Sequence, residues 1–244
     1  MTQAPLMDRI HITEDYDVPR VINGGWQLSA GHALERPLDL ADASRAFNRL
    51  IDMGFDTFDC ADIYTGVEDF FGGIIRERRK AGLRLPQIHT KFVPDLNDLA
   101  NVTPAYVENI ITRSLRRLGV ERLDAVQFHW WDYSVPGMVD VAGELVRLQE
   151  KGLIRLISTT NFNAIELRKL IDAGIPVATN QCQYSVLDRR PAMRLERLCR
   201  ETGVKLLCYG TIAGGNYGFT VEGIYSGLLQ CRRPNHEVKL TIRV

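Results

Sequence analysis

A unit of short apolar strand, amphipathic helix and closing glycine recurs along most of this chain. It restricts the fold more than any other feature. Strands are expected at residues 20–24, 55–60, 87–93, 123–129, 154–160, 177–181 and 205–209. Between them, residues 39–53, 67–81, 103–118, 139–151, 163–173 and 191–202 read as helices, and the glycine after each one stops it. Ala43, Ala46, Phe47 and Leu50 share one helical face, as do Val107, Ile110, Ile111, Leu115 and Leu118. Thr103-Pro104 supplies a hydroxyl cap and then proline in the first turn. Right-handed crossovers make such strands parallel.

Parallel strands of this number close into a barrel or lie in an open doubly wound sheet. The open sheet normally carries a phosphate-binding glycine loop after its first strand. Here that stretch reads NGGWQLSAGH and lacks the GxGxxG spacing. The expectation is therefore an α/β fold of the TIM-type (β/α)8 barrel kind, in one domain over residues 1–244. The repeat fails after Tyr209, so the eighth strand-helix unit reads as incomplete and residues 213–244 as an atypical tail. EVKLTIRV alternates Val238, Leu240, Ile242 and Val244 with polar neighbours, the pattern of a half-exposed strand rather than an interior barrel strand. A barrel without its last strand leaves two unpaired edges, and this segment is the one candidate to fill the gap.

Charge and composition exclude several function classes. Lys plus Arg and Asp plus Glu number 30 each, which offers no basic excess to nucleic acid or to an anionic membrane. The cysteines (Cys60, Cys182, Cys199, Cys208, Cys231) are scattered without a CxxC pair, which argues against a disulfide framework and a zinc site. No apolar run approaches the roughly 20 residues of a membrane span, and the first residues lack a signal-peptide pattern. A cytoplasmic location is expected. Nothing in the sequence fixes an oligomeric state.

Asp59, Tyr64, Lys91 and His129 each fall at or just past the end of a strand, on three consecutive strands. In a parallel barrel such positions converge on one rim. Tyr64 is then a proton donor, Lys91 a cation that tunes it, Asp59 the carboxylate that holds Lys91, and His129 a donor that orients a carbonyl oxygen. Reduction of that carbonyl also needs a hydride, which no side chain supplies, so a nicotinamide cofactor is implied. Thr160, Asn161 and Gln181 end later strands and suit hydrogen bonds to a carboxamide. Tyr209 offers a ring for stacking. Trp26, Trp130, Trp131 and Tyr133 suggest an aromatic entrance. No metal site is expected, since the clustered histidines and carboxylates of a barrel hydrolase are missing.

GFDTFDCADIY, IHTKF, VQFHWWD, GLIRLISTTNF and NQCQYSVLDRRP together resemble the aldo-keto reductase family, over roughly residues 21–209 and in that family's order. The resemblance implies NADPH-dependent reduction of a small aldehyde or ketone. It implies the four roles above for Asp59, Tyr64, Lys91 and His129. It also makes Gly25, Trp26, Asp59, Thr160, Asn161, Gln181 and Tyr209 cofactor contacts. The family's eighth unit holds the adenosine 2′-phosphate through basic residues. Arg232, Arg233, Lys239 and Arg243 are basic but stand in a different context, so the choice between NADP(H) and NAD(H) rests on the resemblance alone. Two further readings share the barrel: a regulatory module that binds cofactor with little turnover, and an inactive reductase-like chain.

Overall fold

A computed structural model describes residues 8–30, 39–211 and, for the backbone, 239–243. Its central element is a closed barrel. Strands β3 (Val21–Gly24), β4 (Thr57–Asp59), β5 (Gln87–Phe92), β6 (Leu123–Phe128), β7 (Ile154–Thr160), β8 (Val177–Gln183) and β9 (Lys205–Tyr209) run parallel in chain order. Helices α1 (Leu40–Asp52), α2 (Val67–Lys80), α3 (Pro104–Leu118), α4 (Met138–Glu150), α5 (Ala164–Asp172) and α6 (Arg194–Thr202) connect them.

The helices begin where local chemistry supplies caps. The Asp39 carboxylate accepts from the backbone N–H groups of Ala41 and Asp42, Thr103 Oγ1 from Tyr106, and Asn163 Oδ1 from Ile165 and Glu166. At the end of α3, Gly119 takes a left-handed φ of 67° and its N–H bonds back to the Leu115 carbonyl. Outward strand residues such as Phe58, Ile88, Val126 and Phe128 pack against the helices in one large apolar core.

The eighth wall position is taken by the segment that the sequence offered to fill the gap. Strand β10 (Lys239–Arg243) lies between β9 and β3, antiparallel to both. It is a strand of the barrel wall. Pairing with both neighbours satisfies the two edges that seven parallel strands leave open. The rest of the tail, including Cys231, Arg232 and Arg233, lies outside the described residues.

A departure is at the amino end, where the sequence reading placed no structure before residue 20. Strands β1 (Arg9–Thr13) and β2 (Tyr16–Pro19) form an antiparallel hairpin. Ile10, Ile12, Tyr16 and Val18 cluster with Ile22, Ala125, Leu156 and Leu207, residues on the amino-terminal half of the inward faces. The hairpin thus plugs the end of the barrel opposite the rim. Arg9 fastens it, bonding to Asp17 at 3.0 Å and to the buried Asp56 at 2.8 Å, and Arg84 pairs with the same Asp56.

Helices α2 and α3 approach so closely that a Cβ on Gly72 would lie 2.1 Å from the Arg117 carbonyl oxygen, whereas one on Gly73 would meet nothing within 4 Å. Gly72→Ala should therefore cost about 1–3 kcal/mol, and Gly73→Ala should add up to about 1 kcal/mol through helix propensity. Thermal unfolding midpoints of the two variants should move in opposite directions; a shared direction would refute the close approach.

Candidate active site

The residues at the carboxyl ends of the strands form a cavity of about 340 Å3. Asp59, Tyr64, Lys91, His129, Thr160, Asn161, Gln181 and Tyr209 line it, with Gly24, Trp26, Ile63, Val93 and Trp131. A larger cleft of about 500 Å3 adjoins it across Asn161 and Tyr209 and carries Arg190 and Arg194. The titratable groups meet in the smaller cavity, so the chemistry belongs there.

Asp59 ends β4 and Lys91 lies in β5, both with inward side chains. They form a buried ion pair, Lys91 Nζ donating to Asp59 Oδ2 at 2.7 Å and to Oδ1 at 2.9 Å. The ammonium donates again to the Cys60 carbonyl at 2.7 Å. Burial works against the charged lysine, but the adjacent carboxylate outweighs it and holds the Lys91 pKa above its ordinary value. Tyr64 follows in the β4–α2 turn, its ring centroid 5.0 Å from Lys91 Nζ. Burial pushes the phenol's pKa up; the Lys91 charge pulls it back without cancelling the rise. The ammonium therefore offsets a desolvation cost instead of producing a phenol more acidic than free tyrosine.

The turn that carries Tyr64 is pinned from below. Asp62 Oδ1 accepts from the Val93 N–H at 3.3 Å, Arg113 reaches Oδ2 at 3.4 Å, and Arg117 donates to the Asp62 carbonyl at 3.1 Å. Burial, with Glu68 nearby, pushes the Asp62 carboxyl up to about 7.

His129 is half-buried beside Trp131, with Nδ1 3.2 Å from the Thr160 carbonyl oxygen. A carbonyl only accepts, so Nδ1 carries the proton. Burial lowers the His129 pKa and favours the neutral ring. Nε2 is then an acceptor. The sequence reading made His129 a donor to a carbonyl oxygen, and this tautomer serves that role only when the ring is protonated.

The expected carboxamide contacts are wired to one another. Gln181 Nε2 donates to Asp59 Oδ1 at 2.7 Å, and Thr160 Oγ1 donates to Gln181 Oε1 at 3.3 Å. Asn161 adopts a left-handed φ of 62°, and its Oδ1 accepts from the Tyr209 hydroxyl at 2.8 Å. That leaves the Asn161 amide nitrogen available to a ligand at the cavity wall. Two residues stand elsewhere than expected. Gly25 is buried outside the cavity lining, where a Cβ would press on the Asp59 carbonyl oxygen, Phe71 and Val67 at 3.0 Å; Gly24 lines the cavity instead. Trp130 is core, 1% exposed, with its Nε1 bonded to the Val135 carbonyl, so it forms no part of the entrance. Sequence reading also missed Gln127, whose Nε2 donates to Asp59 Oδ1 at 2.7 Å; its position two residues before His129 on an inward face was the available signal.

Beneath the pair, His89 Nε2 lies 3.0 Å from the Tyr16 hydroxyl. Burial lowers the His89 pKa to about 4. The unfolded chain thus takes up a proton between pH 6.5 and 4 that the folded one refuses, and stability falls as pH falls through that window, by about 3 kcal/mol from this group. Asp62 and Asp124, raised by burial to about 7 and about 6, act in the opposite sense as pH falls. Urea unfolding of His89→Gln and the parent chain at pH 7 and pH 4 isolates the histidine. The difference in stability should shift in the variant's favour by about 3 kcal/mol at the lower pH, and a constant difference would rule out a neutral buried His89.

Known proteins resemble this chain in sequence and in fold. The chain is 27% identical to a probable aldo-keto reductase 1 of Glycine max, over 89% of this chain and 63% of that protein. It is also 27% identical to an NADH-specific methylglyoxal reductase of Escherichia coli K12, over 87% of this chain and 69% of the relative. It thus spans less than two thirds of the soybean protein's length. Among solved structures, a glycerol dehydrogenase from Gluconobacter oxydans superposes with a TM-score of 0.72 at 24% identity, covering 93% of this chain and 73% of that one, which shows a shared fold. The family model described as aldo/keto reductase family matches residues 20–223, and the chain belongs to that family.

Proposed function

We propose that this chain reduces a small aldehyde or ketone to an alcohol with a nicotinamide dinucleotide, and that Tyr64 donates the proton. The observation that carries the reading is the buried Lys91–Asp59 pair set 5.0 Å from the Tyr64 ring at the wall of a cavity. A bound nicotinamide supplies the hydride. Tyr64 keeps its proton at neutral pH and gives it up to an oxygen that gains negative charge. Lys91 stabilises the phenolate left behind, and Asp59 holds the ammonium in place. His129 orients the reacting oxygen, as donor when protonated and as acceptor from the alcohol when neutral.

The lining suits the cofactor's nicotinamide end. Tyr209 presents a half-buried ring held by Asn161, and the Asn161 amide nitrogen suits a carboxamide oxygen. Thr160, Gln181, Trp26 and Gly24 line the same cavity. NADPH is the cofactor the family resemblance implies. The E. coli relative is named for NADH, so the two dinucleotides need direct comparison. Ile63, Val93 and Trp131 give the substrate side apolar walls, which suits a carbonyl on an apolar or aromatic body. The buried free thiols Cys60, Cys182, Cys199 and Cys208 suit a reducing, cytoplasmic setting.

Fluorescence titration with NADPH and NADH, followed by turnover of simple aldehydes, tests the reading. Tyr64→Phe should lower kcat about a thousandfold and leave dinucleotide affinity within about twofold of the parent. Reduction at the parent rate by Tyr64→Phe would remove Tyr64 as the acid. Reduction should also hold level through neutral pH and fall only in the alkaline range where the phenol ionises.

A further inference from the structure

The tetrad's cavity continues beyond its own wall. Asn161 and Tyr209 line both it and the adjoining cleft of about 500 Å3. That cleft opens between the first turns of α5 and α6, with the end of β8 on its wall. Its charged lining residues are Arg190 and Arg194, so it carries two cations and no carboxylate among the described residues. In the smaller cavity the lining cation, Lys91, is tied to Asp59. A nicotinamide dinucleotide joins its ring, through one ribose, to a doubly anionic pyrophosphate. A cavity of about 340 Å3 suits the nicotinamide end, and the anionic part needs a second place.

The two arginines differ from the solvated charges around them. On α6, Arg197 pairs with Glu201 and Arg200 with Glu196. One turn beyond Arg194 stands Leu198, and Arg194 has no ion pair or hydrogen bond to another side chain among the described residues. Arg190 is held instead. Asp188 accepts from its Nε at 2.9 Å and from its Nη2 at 2.5 Å, which fixes the guanidinium and leaves its remaining N–H groups for another acceptor. Burial pushes the Tyr209 phenol up, and Arg190 lies near enough for its charge to oppose the rise. One guanidinium thus stands close to the shared ring and the other opens the next helix. Such planar forks match phosphate oxygens.

The direction of β10 removes one alternative. Residues that follow a parallel barrel strand reach the rim. β10 runs the other way: the backbone of Lys239 lies opposite Asn23, and that of Arg243 opposite Leu206, in the first half of β9. The backbone of Arg243 is therefore away from the rim. We infer that Arg190 and Arg194 hold the pyrophosphate of the nicotinamide dinucleotide, in the cleft between α5 and α6 that continues the tetrad's cavity. The inference rests on the carbonyl-reduction reading and names the residues that carry its cofactor's charge. The nicotinamide stays at Tyr209, and the ribose and pyrophosphate leave past Asn161. The pyrophosphate is common to both dinucleotides, so this grip selects neither.

Arg194→Gln, Arg190→Gln and the double variant test it, with Arg197→Gln removing an equal charge from the same helix outside the cleft. Affinities for NADPH and NADH are measured by fluorescence titration of the intact chain at low and high salt, and melting temperature checks the fold. Arg194→Gln should weaken both dinucleotides about tenfold and the double variant more. The dependence of affinity on salt should flatten with them. Arg197→Gln should stay within about twofold of the parent. Parent-like affinity in the double variant would overturn the inference, as would an equal loss in Arg197→Gln. A loss confined to NADPH would move the contact to the 2′-phosphate and overturn the assignment too. So would unchanged dinucleotide affinity with a raised KM for 4-carboxybenzaldehyde, which would give the cleft to an anionic substrate. Should the parent chain bind dinucleotide but reduce no aldehyde, the reductase reading fails, and the affinities still decide on the arginines. Binding of neither dinucleotide by the parent would end the inference.

Discussion

A charged lysine inside a barrel is the constraint around which the upper half of this molecule is organised. An ammonium withdrawn from water is expensive, and the attraction of a neighbouring carboxylate repays the cost only with close geometry and further hydrogen bonds. Lys91 has both, because Asp59 meets it with two oxygens and the Cys60 carbonyl accepts from it as well. The carboxylate brings its own demand, answered by two glutamines on strands β6 and β8. One buried cation thus recruits polar side chains from three other strands, and those strands must hold register for any of the bonds to form. The amino-terminal hairpin serves the same end from below. It fills the lower barrel with Ile10, Ile12, Tyr16 and Val18 so that the polar layer sits on an apolar floor.

Closure of the sheet matters for the same reason. Seven parallel strands with two free edges would let β3 and β9 drift apart, and with them Gly24 and Tyr209, which both line the cavity. An antiparallel eighth strand, paired with both edges, closes the barrel as a parallel one would. Hydrogen bonding between edges is indifferent to how the chain arrives, whereas the strand-helix repeat is a statement about crossovers. That is why the repeat pattern broke off at Tyr209 while the barrel did not.

Much of the architecture was legible before any coordinates. Strands β7 and β9 begin and end where the apolar runs do, and the caps at Asp39, Thr103 and Asn163 lie where short polar side chains precede amphipathic runs. The hairpin before residue 20 escaped notice because Arg9–Thr13 and Tyr16–Pro19 are short, mixed in polarity and joined by a charged turn. The tetrad was legible because strand ends are local features and a parallel barrel brings them together. Gln127 was not, since a glutamine within an apolar strand reads as a solvated position until the barrel turns it inward. Gly25 and Trp130 each adjoin a cavity residue in sequence, yet Gly25 lies buried outside the lining and Trp130 in the core, because neighbours in the chain need not share a surface.

By itself, the order of residues determined the parallel repeat, the helix limits and which polar groups stand at strand ends, because each depends on neighbours within a few positions. The tertiary structure alone decided the direction of the closing strand, the tautomer of His129, the sharing of Asp59 Oδ1 among three donors, and whether burial or Lys91 prevails at Tyr64. These last depend on distances between residues far apart in the chain, and electrostatic effects of opposite sign at such distances are settled by the packing that brings the groups together.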